Sequence, residues 1–166
     1  MLVRALMTRQ VLFLRPADTL EAAVLKLDER DVTGAPVIDE AGQLVGILSE
    51  VDVLGRLKKL AEKEISGRYL ATQGHALSLL AFLAERGHPM VAKLLELVRS
   101  SRVSDVMTKK VITANPSATV EEVAALLIRH DINRVPIVEG GNVVGIVSRA
   151  DLLRMLTADS ADFDGT

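Results

Sequence analysis

Apolar and polar residues follow patterns along the chain that predict short strands and amphipathic helices. The apolar run over residues 143–147 predicts a buried strand, and Ser148 to Asp151 open a helix whose apolar positions continue to Leu156. A strand that runs directly into a helix leaves free backbone N–H groups at the turn, at the positive end of the helix dipole. This stretch is therefore a candidate binding site for an anionic ligand group.

A second copy of the stretch lies upstream, and the likeness extends well beyond it. Residues 6–39 align with 106–139 without a gap, and after a one-residue deletion residues 43–57 align with 142–156. The identical residues of the first copy include Met7, Thr8, Val11, Pro16, Thr19, Glu21, Pro36, Val45, Gly46, Ile47, Ser49, Asp52, Leu54 and Leu57. The chain is therefore a duplicated unit.

Each copy has the predicted element order β-α-β-β-α. A short strand (11–14 or 111–113) leads through a proline-containing turn to a helix that Thr19 or Thr119 N-caps, and Glu122 completes a capping box in the second copy. Two strands joined by a glycine-containing hairpin loop follow, and a second helix closes the unit. A unit of about fifty residues with one apolar face is marginal alone, so we expect the two copies to pack together.

The shared residues resemble the cystathionine β-synthase (CBS) domain, in the paired arrangement called a Bateman module and of the stand-alone bacterial or archaeal type. The motifs that carry the resemblance occupy residues 5–8, 34–38 and 45–52 in the first copy, and 105–108, 133–138 and 144–151 in the second. The resemblance implies an α+β fold in which the tandem repeats pack about a pseudo-twofold axis and form two clefts. It also implies a homodimer, with four repeats arranged as a flat disc.

The segment between the copies is predicted to be helical. Residues 76–83 are apolar apart from Ser78 and residues 90–98 are amphipathic, which predicts a helical hairpin interrupted at Gly87 and Pro89. This hairpin either packs on its own module or dimer mate, or serves as a docking surface or a lid over a cleft. The expected division is repeat 1 at 1–57, insert and linker at 58–102, repeat 2 at 103–158, and a frayed acidic tail at 159–166.

Composition narrows the class of function. Twenty basic and 22 acidic residues give a net charge of −2, and only four residues are aromatic, which argues against nucleic-acid binding. Cysteine is absent and the three histidines are scattered, so neither a thiolate site nor a metal site is predicted. No nucleophile–base arrangement or glycine-rich phosphate loop stands out, and we expect no catalysis. The absence of a signal-peptide pattern and of a long apolar run predicts a cytoplasmic location without membrane insertion.

Two matching serine–aspartate pairs are the leading candidates for ligand binding. Asp52 and Asp151 stand three positions after Ser49 and Ser148, in the first turn of a helix. Either carboxylate could simply complement the helix dipole, and either serine could simply cap the helix. The resemblance instead implies that the aspartates bind the ribose hydroxyls of an adenine nucleotide, with the serines near ribose or phosphate.

Arg134 distinguishes the two copies, because Gly34 occupies the equivalent position. The resemblance implies that this arginine contacts phosphate, for which its planar donor fork is suited. The alternative is a surface salt bridge, for example with Asp131 or Glu139. Arg149 is a secondary phosphate candidate. The apolar slot for an adenine ring is predicted to include Thr113, Val135 and Pro136 of the second copy, with Ala35 and Pro36 as first-copy counterparts.

These expectations define a non-catalytic sensor that binds an adenosine-containing ligand between its repeats and changes conformation. Candidate ligands are AMP, ADP, ATP, S-adenosylmethionine and NAD, and no cofactor is required. The alternative is an interaction or scaffold module with vestigial clefts, whose helical insert recruits a protein partner.

Overall fold

The computed structural model describes residues 1–64 and 89–161 of the 166-residue chain. The predicted apolar helix at 76–83 and the end of the predicted tail, residues 162–166, lie outside the described residues. The described elements are a 3₁₀ turn Val3–Ala5, α1 (Leu20–Glu29), β1 (Gly34–Ile38), β2 (Leu44–Ser49), α2 (Glu50–Glu64), α3 (Pro89–Ser100), α4 (Val103–Val106), α5 (Val120–Arg129), β3 (Arg134–Glu139), β4 (Asn142–Ser148) and α6 (Arg149–Ala161).

The chain divides into two compact units, and it enters each of them more than once. The repeat-1 unit comprises Phe13–Ile38 and Gly46–Lys109, and the repeat-2 unit comprises Met1–Leu12, Asp39–Val45 and Lys110–Thr166. Each unit therefore contains the first residues of the other repeat.

The repeat-2 unit is built on the antiparallel pair β3–β4. Opposed residues of the two strands share a face, and Val135 lies opposite Val147 on the face that forms the core. Both side chains are fully buried, together with side chains from α5. The core side chains are Val3, Met7, Val120, Val123, Leu127, Val135, Ile137 and Val147.

Two flanking segments extend this ladder on its outer edges. Thr8 exchanges backbone hydrogen bonds with Ile146 of β4, at 2.9 and 3.0 Å. On the other edge, Ala114 pairs with Ile137 of β3 in the parallel sense. The N-terminal segment is thereby part of the repeat-2 unit.

The repeat-1 unit has the same plan. Thr108 exchanges backbone hydrogen bonds with Ile47 of β2, both at 2.9 Å, and Leu14 bridges to Val37 of β1. Its fully or almost fully buried side chains include Leu14, Leu20, Ala23, Val37, Leu48 and Val103.

The predicted α+β order of helix, strand, strand and helix is confirmed in both repeats, and the first strand is reduced to one bridge. Leu14 and Ala114 each make a single parallel bridge, after which a turn begins at Pro16 or Pro116. A proline has no N–H to continue a ladder, which explains why pairing stops before the turn. The amphipathic helix predicted at 90–98 is observed as α3, with Pro89 as its first residue.

The predicted helix caps are present. Thr119 accepts a hydrogen bond from Glu122 N–H while Glu122 accepts one from Thr119 N–H, which is the predicted capping box. Thr19 caps α1 alone, by accepting from Ala22 N–H. None of the described helices is both long and apolar enough to cross a membrane.

Candidate functional site

The turn between β4 and α6 is closed by reciprocal hydrogen bonds between Ser148 and Asp151. Asp151 Oδ2 accepts from Ser148 N–H at 2.7 Å and from the Ser148 hydroxyl at 2.6 Å. The N–H of Asp151 donates back to Ser148 Oγ at 3.3 Å. Asp151 is only 6% exposed, and its other oxygen, Oδ1, accepts from the guanidinium of Arg154.

The turn between β2 and α2 has the same two hydrogen bonds from serine to the carboxylate, and a different residue contacts the Oδ1 atom. Asp52 Oδ2 accepts from Ser49 N–H at 2.8 Å and from the Ser49 hydroxyl at 2.7 Å. Its Oδ1 accepts from the hydroxyl of Thr108 at 2.8 Å. Both pairs thus cap their helices and place a negative charge at the positive end of the dipole.

Capping does not use the full hydrogen-bonding capacity of either carboxylate. Each carboxylate oxygen can accept two hydrogen bonds, and within the described residues Oδ1 of Asp52 and of Asp151 accepts one. The partners at these oxygens, Thr108 and Arg154, are exposed side chains. An incoming hydroxyl could therefore share or replace them without breaking the cap.

Arg134 and Pro136 lie on the same strand face as Ser148. Arg134 is directly opposite Ser148 in the β3–β4 ladder, and Pro136 is opposite Ile146. Directly opposed residues project to one side of a sheet, so the Arg134 side chain leaves β3 on the face that carries Ser148. The first copy has Gly34 in place of the arginine.

The residues predicted to form the apolar slot for adenine differ in their exposure. Val135 projects into the core with no exposed surface, so only its backbone could meet a ligand. Thr113 is exposed and precedes Ala114, whose N–H donates to the Pro136 carbonyl. In the repeat-1 unit, Ala35 and Pro36 are both buried.

The guanidinium of Arg149 is hydrogen-bonded to groups at the end of α5. Its Nε donates to the Ile132 carbonyl at 2.9 Å, and its Nη2 contacts the Leu127 carbonyl at 3.3 Å and Asp131 Oδ1 at 3.0 Å. A phosphate role for Arg149 stays a prediction that would require these contacts to break. The same ion pair takes up Asp131, one of the two carboxylates considered as a salt-bridge partner for Arg134.

Two residues at the turns were missed by the sequence analysis. Thr108 contacts Asp52 across a separation of 56 residues, which local spacing does not reveal. Arg154 aligns with Gly55, so the charge difference between the copies was a usable signal.

The described residues contain no cluster of His, Asp or Glu that could hold a metal ion. His130, which precedes Asp131, is the C-cap residue of α5. A C-cap histidine is favourable for structural reasons alone, because a cation there complements the helix dipole.

The duplicated fold and its paired serine–aspartate turns define a tandem pair of like domains. The CBS domain family matches residues 3–59 and 103–158, and the chain belongs to this family. An uncharacterized protein of Methanocaldococcus jannaschii is 31% identical over 158 residues, covering 94% of this chain and 91% of that protein. The chain spans about half the length of several other curated relatives.

Solved structures show the same architecture. The CBS domain of a CBS-domain-containing membrane protein from Sphaerobacter thermophilus is 35% identical, with a TM-score of 0.68, and the match covers 92% of this chain and 86% of that one. The CBSX2 structure in complex with AMP is 25% identical, with a TM-score of 0.67, and the match covers 96% of this chain and 98% of that one. CBSX2 is a CBS-pair protein of Arabidopsis thaliana.

Proposed function

We propose that this chain is a regulatory sensor that binds an adenosine-containing ligand at its serine–aspartate turns. The observation that carries the proposal is the pair of matching carboxylates, Asp52 and Asp151. Each carboxylate is held by its serine at a helix N-terminus through Oδ2, and its Oδ1 contacts an exposed side chain. A carboxylate held in this way is suited to accept hydrogen bonds from a ribose diol.

Phosphate recognition is proposed for the repeat-2 unit. Arg134 lies opposite Ser148 and beside the N-terminus of α6, where a positive side chain and a helix dipole both favour an anion. The repeat-1 unit has Gly34 at this position. We therefore expect the Asp151 site to favour a nucleotide and the Asp52 site to favour an uncharged adenosine group.

The complex of CBSX2 with AMP supports the ligand class, since that protein shares the fold over nearly the whole chain. AMP, ADP, ATP, S-adenosylmethionine and NAD all contain adenosine and are the candidates here. Binding acts as a signal only if the ligand prefers one conformation, which the sensor proposal requires.

Direct calorimetric titration of each candidate ligand into the purified chain tests the proposal. We expect one adenosine ligand to bind, and at about 100 times its dissociation constant to stabilise the fold by about 2.7 kcal/mol. Asp151→Ala and Asp52→Ala should each abolish binding at the corresponding site.

A matched control separates lost binding from lost capping. Glu122→Ala removes a carboxylate of the same capping type from α5, far along the chain from either turn. It should cost a similar amount of stability, about 0.5–2 kcal/mol, and leave ligand affinity unchanged. If none of the candidate ligands binds, or if both aspartate variants bind with unchanged affinity, the proposal is contradicted.

A homodimer and a cytoplasmic location complete the proposal. Several large apolar side chains on the helices are more than half exposed, and their burial would favour association of two copies. They are Leu25, Val51, Leu95, Ile128 and Leu153. Light scattering on the purified chain measures its mass directly, and a monomer at micromolar concentration would contradict the dimer.

A further inference from the structure

An open cavity of about 340 Å³ lies in the repeat-1 unit, between the end of α1 and the start of α2. Three carboxylates line it, those of Asp28, Asp31 and Glu50. Within the described residues these carboxylates form no ion pair, and no basic side chain lines the cavity. The cavity is therefore strongly acidic.

The equivalent place in the repeat-2 unit is filled by an arginine of the chain itself. Arg149 aligns with Glu50, and its guanidinium contacts the Leu127 carbonyl, the Ile132 carbonyl and the Asp131 carboxylate. The corresponding groups in the cavity are the backbone of Leu27 and Val32 and the side chain of Asp31. The duplicated unit thus shows what occupies this place when it is filled.

The backbone that receives the guanidinium has the same geometry in both repeats. The Val32 N–H to Leu27 carbonyl bond measures 3.0 Å, and the equivalent bond from Ile132 to Leu127 measures 3.1 Å. The aspartate in each turn has a left-handed backbone, with φ of 51° at Asp31 and 48° at Asp131.

The first residue of the following helix is also held alike. Glu50 N–H donates to the Thr33 carbonyl at 3.0 Å, as Arg149 N–H donates to the Asn133 carbonyl at 3.0 Å. The acceptors for a guanidinium are therefore already in place in the repeat-1 unit.

The negative charge of the cavity and its exposed valines both limit which ligand could fill it. At the three aligned positions, the repeat-2 unit has Ile128, Asp131 and Arg149, with no net charge, where the cavity has three acids. Val24 and Val32, on the wall of the cavity, are each 38% exposed. A planar cation with an apolar stem, presented next to further apolar groups, would satisfy both the carboxylates and the valines.

We propose that this acidic cavity is a docking site for an arginine side chain of a partner polypeptide. The guanidinium would take the position that Arg149 takes in the repeat-2 unit, with Asp28 and Glu50 adding attraction that the repeat-2 unit lacks. The proposal is independent of adenosine binding, since the cavity is lined by neither Ser49 nor Asp52.

NMR titration of the full ¹⁵N-labelled chain with a short peptide, acetyl-Leu-Arg-Leu-amide, tests the site. The matched peptide carries citrulline, which has the shape of arginine without its charge. We expect the arginine peptide to shift the amide signals of Asp31, Val32 and Glu50, and to bind at least about tenfold more tightly than the citrulline peptide, because charge-assisted pairs are lost.

Glu50→Arg is the decisive variant. It should reproduce the repeat-2 arrangement, fill the cavity from within the chain, and weaken peptide binding by about tenfold or more. Glu139→Arg changes the charge by the same amount at an exposed position outside the cavity and should leave binding almost unchanged. If Glu50→Arg fails to fold, Asp31→Asn combined with Glu50→Gln removes two of the carboxylates and should also weaken binding.

Three results would overturn the proposal. The first is equal affinity for the arginine and citrulline peptides, and the second is full affinity in a folded Glu50→Arg chain. The third is binding of free agmatine as tight as that of the peptide, which would make a small cation the occupant in place of a polypeptide.

Discussion

The hydroxyl of Thr108 donates a hydrogen bond to Asp52 Oδ1 at 2.8 Å, although 56 residues separate the two along the chain. The contact is possible because Thr108 pairs with Ile47 on the edge of β2, five residues before Asp52. It ties the first residues of repeat 2 to the helix-opening turn of repeat 1, within one compact unit.

Replacing Thr108 by valine tests the contribution of this contact. Thr108→Val keeps the shape of the side chain and removes the donor, so we expect a loss of about 0.5–1.5 kcal/mol in the free energy of unfolding, measured in urea. Thr8→Val is the matched control, since the corresponding oxygen of Asp151 accepts from Arg154. It should change stability by less than about 0.5 kcal/mol, and equal losses in the two variants would contradict the assigned role.

Gly145 allows Met7 to approach the sheet closely. A Cβ added at Gly145 would lie 2.5 Å from Met7 Sδ, 2.8 Å from its Cγ and 3.1 Å from its Cβ. The methionine would have to move as a whole, and it is itself a core residue. We expect Gly145→Ala to destabilise the chain by about 1–3 kcal/mol in urea unfolding.

The double variant Met7→Ala/Gly145→Ala provides the control for this clash. Met7→Ala leaves a cavity and is costly alone, but it removes the atoms that the new methyl group would meet. The two changes should therefore cost less together than the sum of the single changes, with a coupling of at least about 0.5 kcal/mol. Strict additivity would show that the clash is relieved by other means.

Arg134 is expected to discriminate between a nucleotide and its nucleoside. Arg134→Gln should weaken AMP binding by about tenfold or more. A tenfold loss corresponds to about 1.5 kcal/mol, the low end of the range of about 1.5–3 kcal/mol for a hydrogen bond to a charged group. Adenosine affinity should stay the same, because the nucleoside has no phosphate. Arg129→Gln removes an equal charge from the exposed end of α5 and serves as the control in the same titration. An equal loss for AMP and adenosine would exclude a phosphate contact.

The hydrogen bonds of the Asp18 carboxylate should make the stability of the fold sensitive to acid. Burial raises the pKa of Asp18, but hydrogen bonds from Lys26 Nζ at 2.9 Å and from the Arg15 N–H at 3.1 Å outweigh it, so the pKa lies below its ordinary value of 3.8. The resulting stability is present above pH 3.8 and is lost as the pH falls through the lower pKa of the folded state.

Unfolding measurements between pH 6 and pH 2 check this sign. Asp18→Asn should be less stable than the parent chain at pH 6, and the difference should shrink as the pH falls below about 4. A difference that stays constant across this range would show that the carboxylate is not the source of the stabilisation.

Local features of the fold were predictable from the sequence, because local interactions decide them. The caps at Thr19 and Thr119 follow from residue types at fixed spacing, and the apolar periodicity located α5. The strands β3 and β4 followed from their apolar runs, but β4, predicted to be buried, is only partly so. The duplication itself was evident from aligned identities, and with it the family.

Features that depend on tertiary pairing were not predictable in this way. Alignment shows which residues of the two copies correspond, but not that Thr8 joins β4 or that Thr108 joins β2. The charge of Arg149 made it a secondary phosphate candidate or a solvated surface residue, whereas its position over the end of α5 depends on the turn at Asp131. The charge difference between Gly34 and Arg134 was the sequence signal that distinguished the two copies, whereas the difference between Glu50 and Arg149 gained its meaning only from the structure.

The assignment of residues 1–12 to the repeat-2 unit has a consequence for folding during synthesis. The repeat-1 unit is complete once Lys109 has left the ribosome, because all its parts lie between Phe13 and that residue. The leading dozen residues must wait for β4, whose Ile146 is translated more than a hundred codons later. At about 5–20 residues per second this delay lasts about 7 to 27 seconds, during which the apolar side chains of Val3 and Met7 lack their core partners on β4. Residues 1–12 therefore reach their native position only after residues translated more than a hundred codons later, so vectorial synthesis imposes an order on two repeats of the same fold.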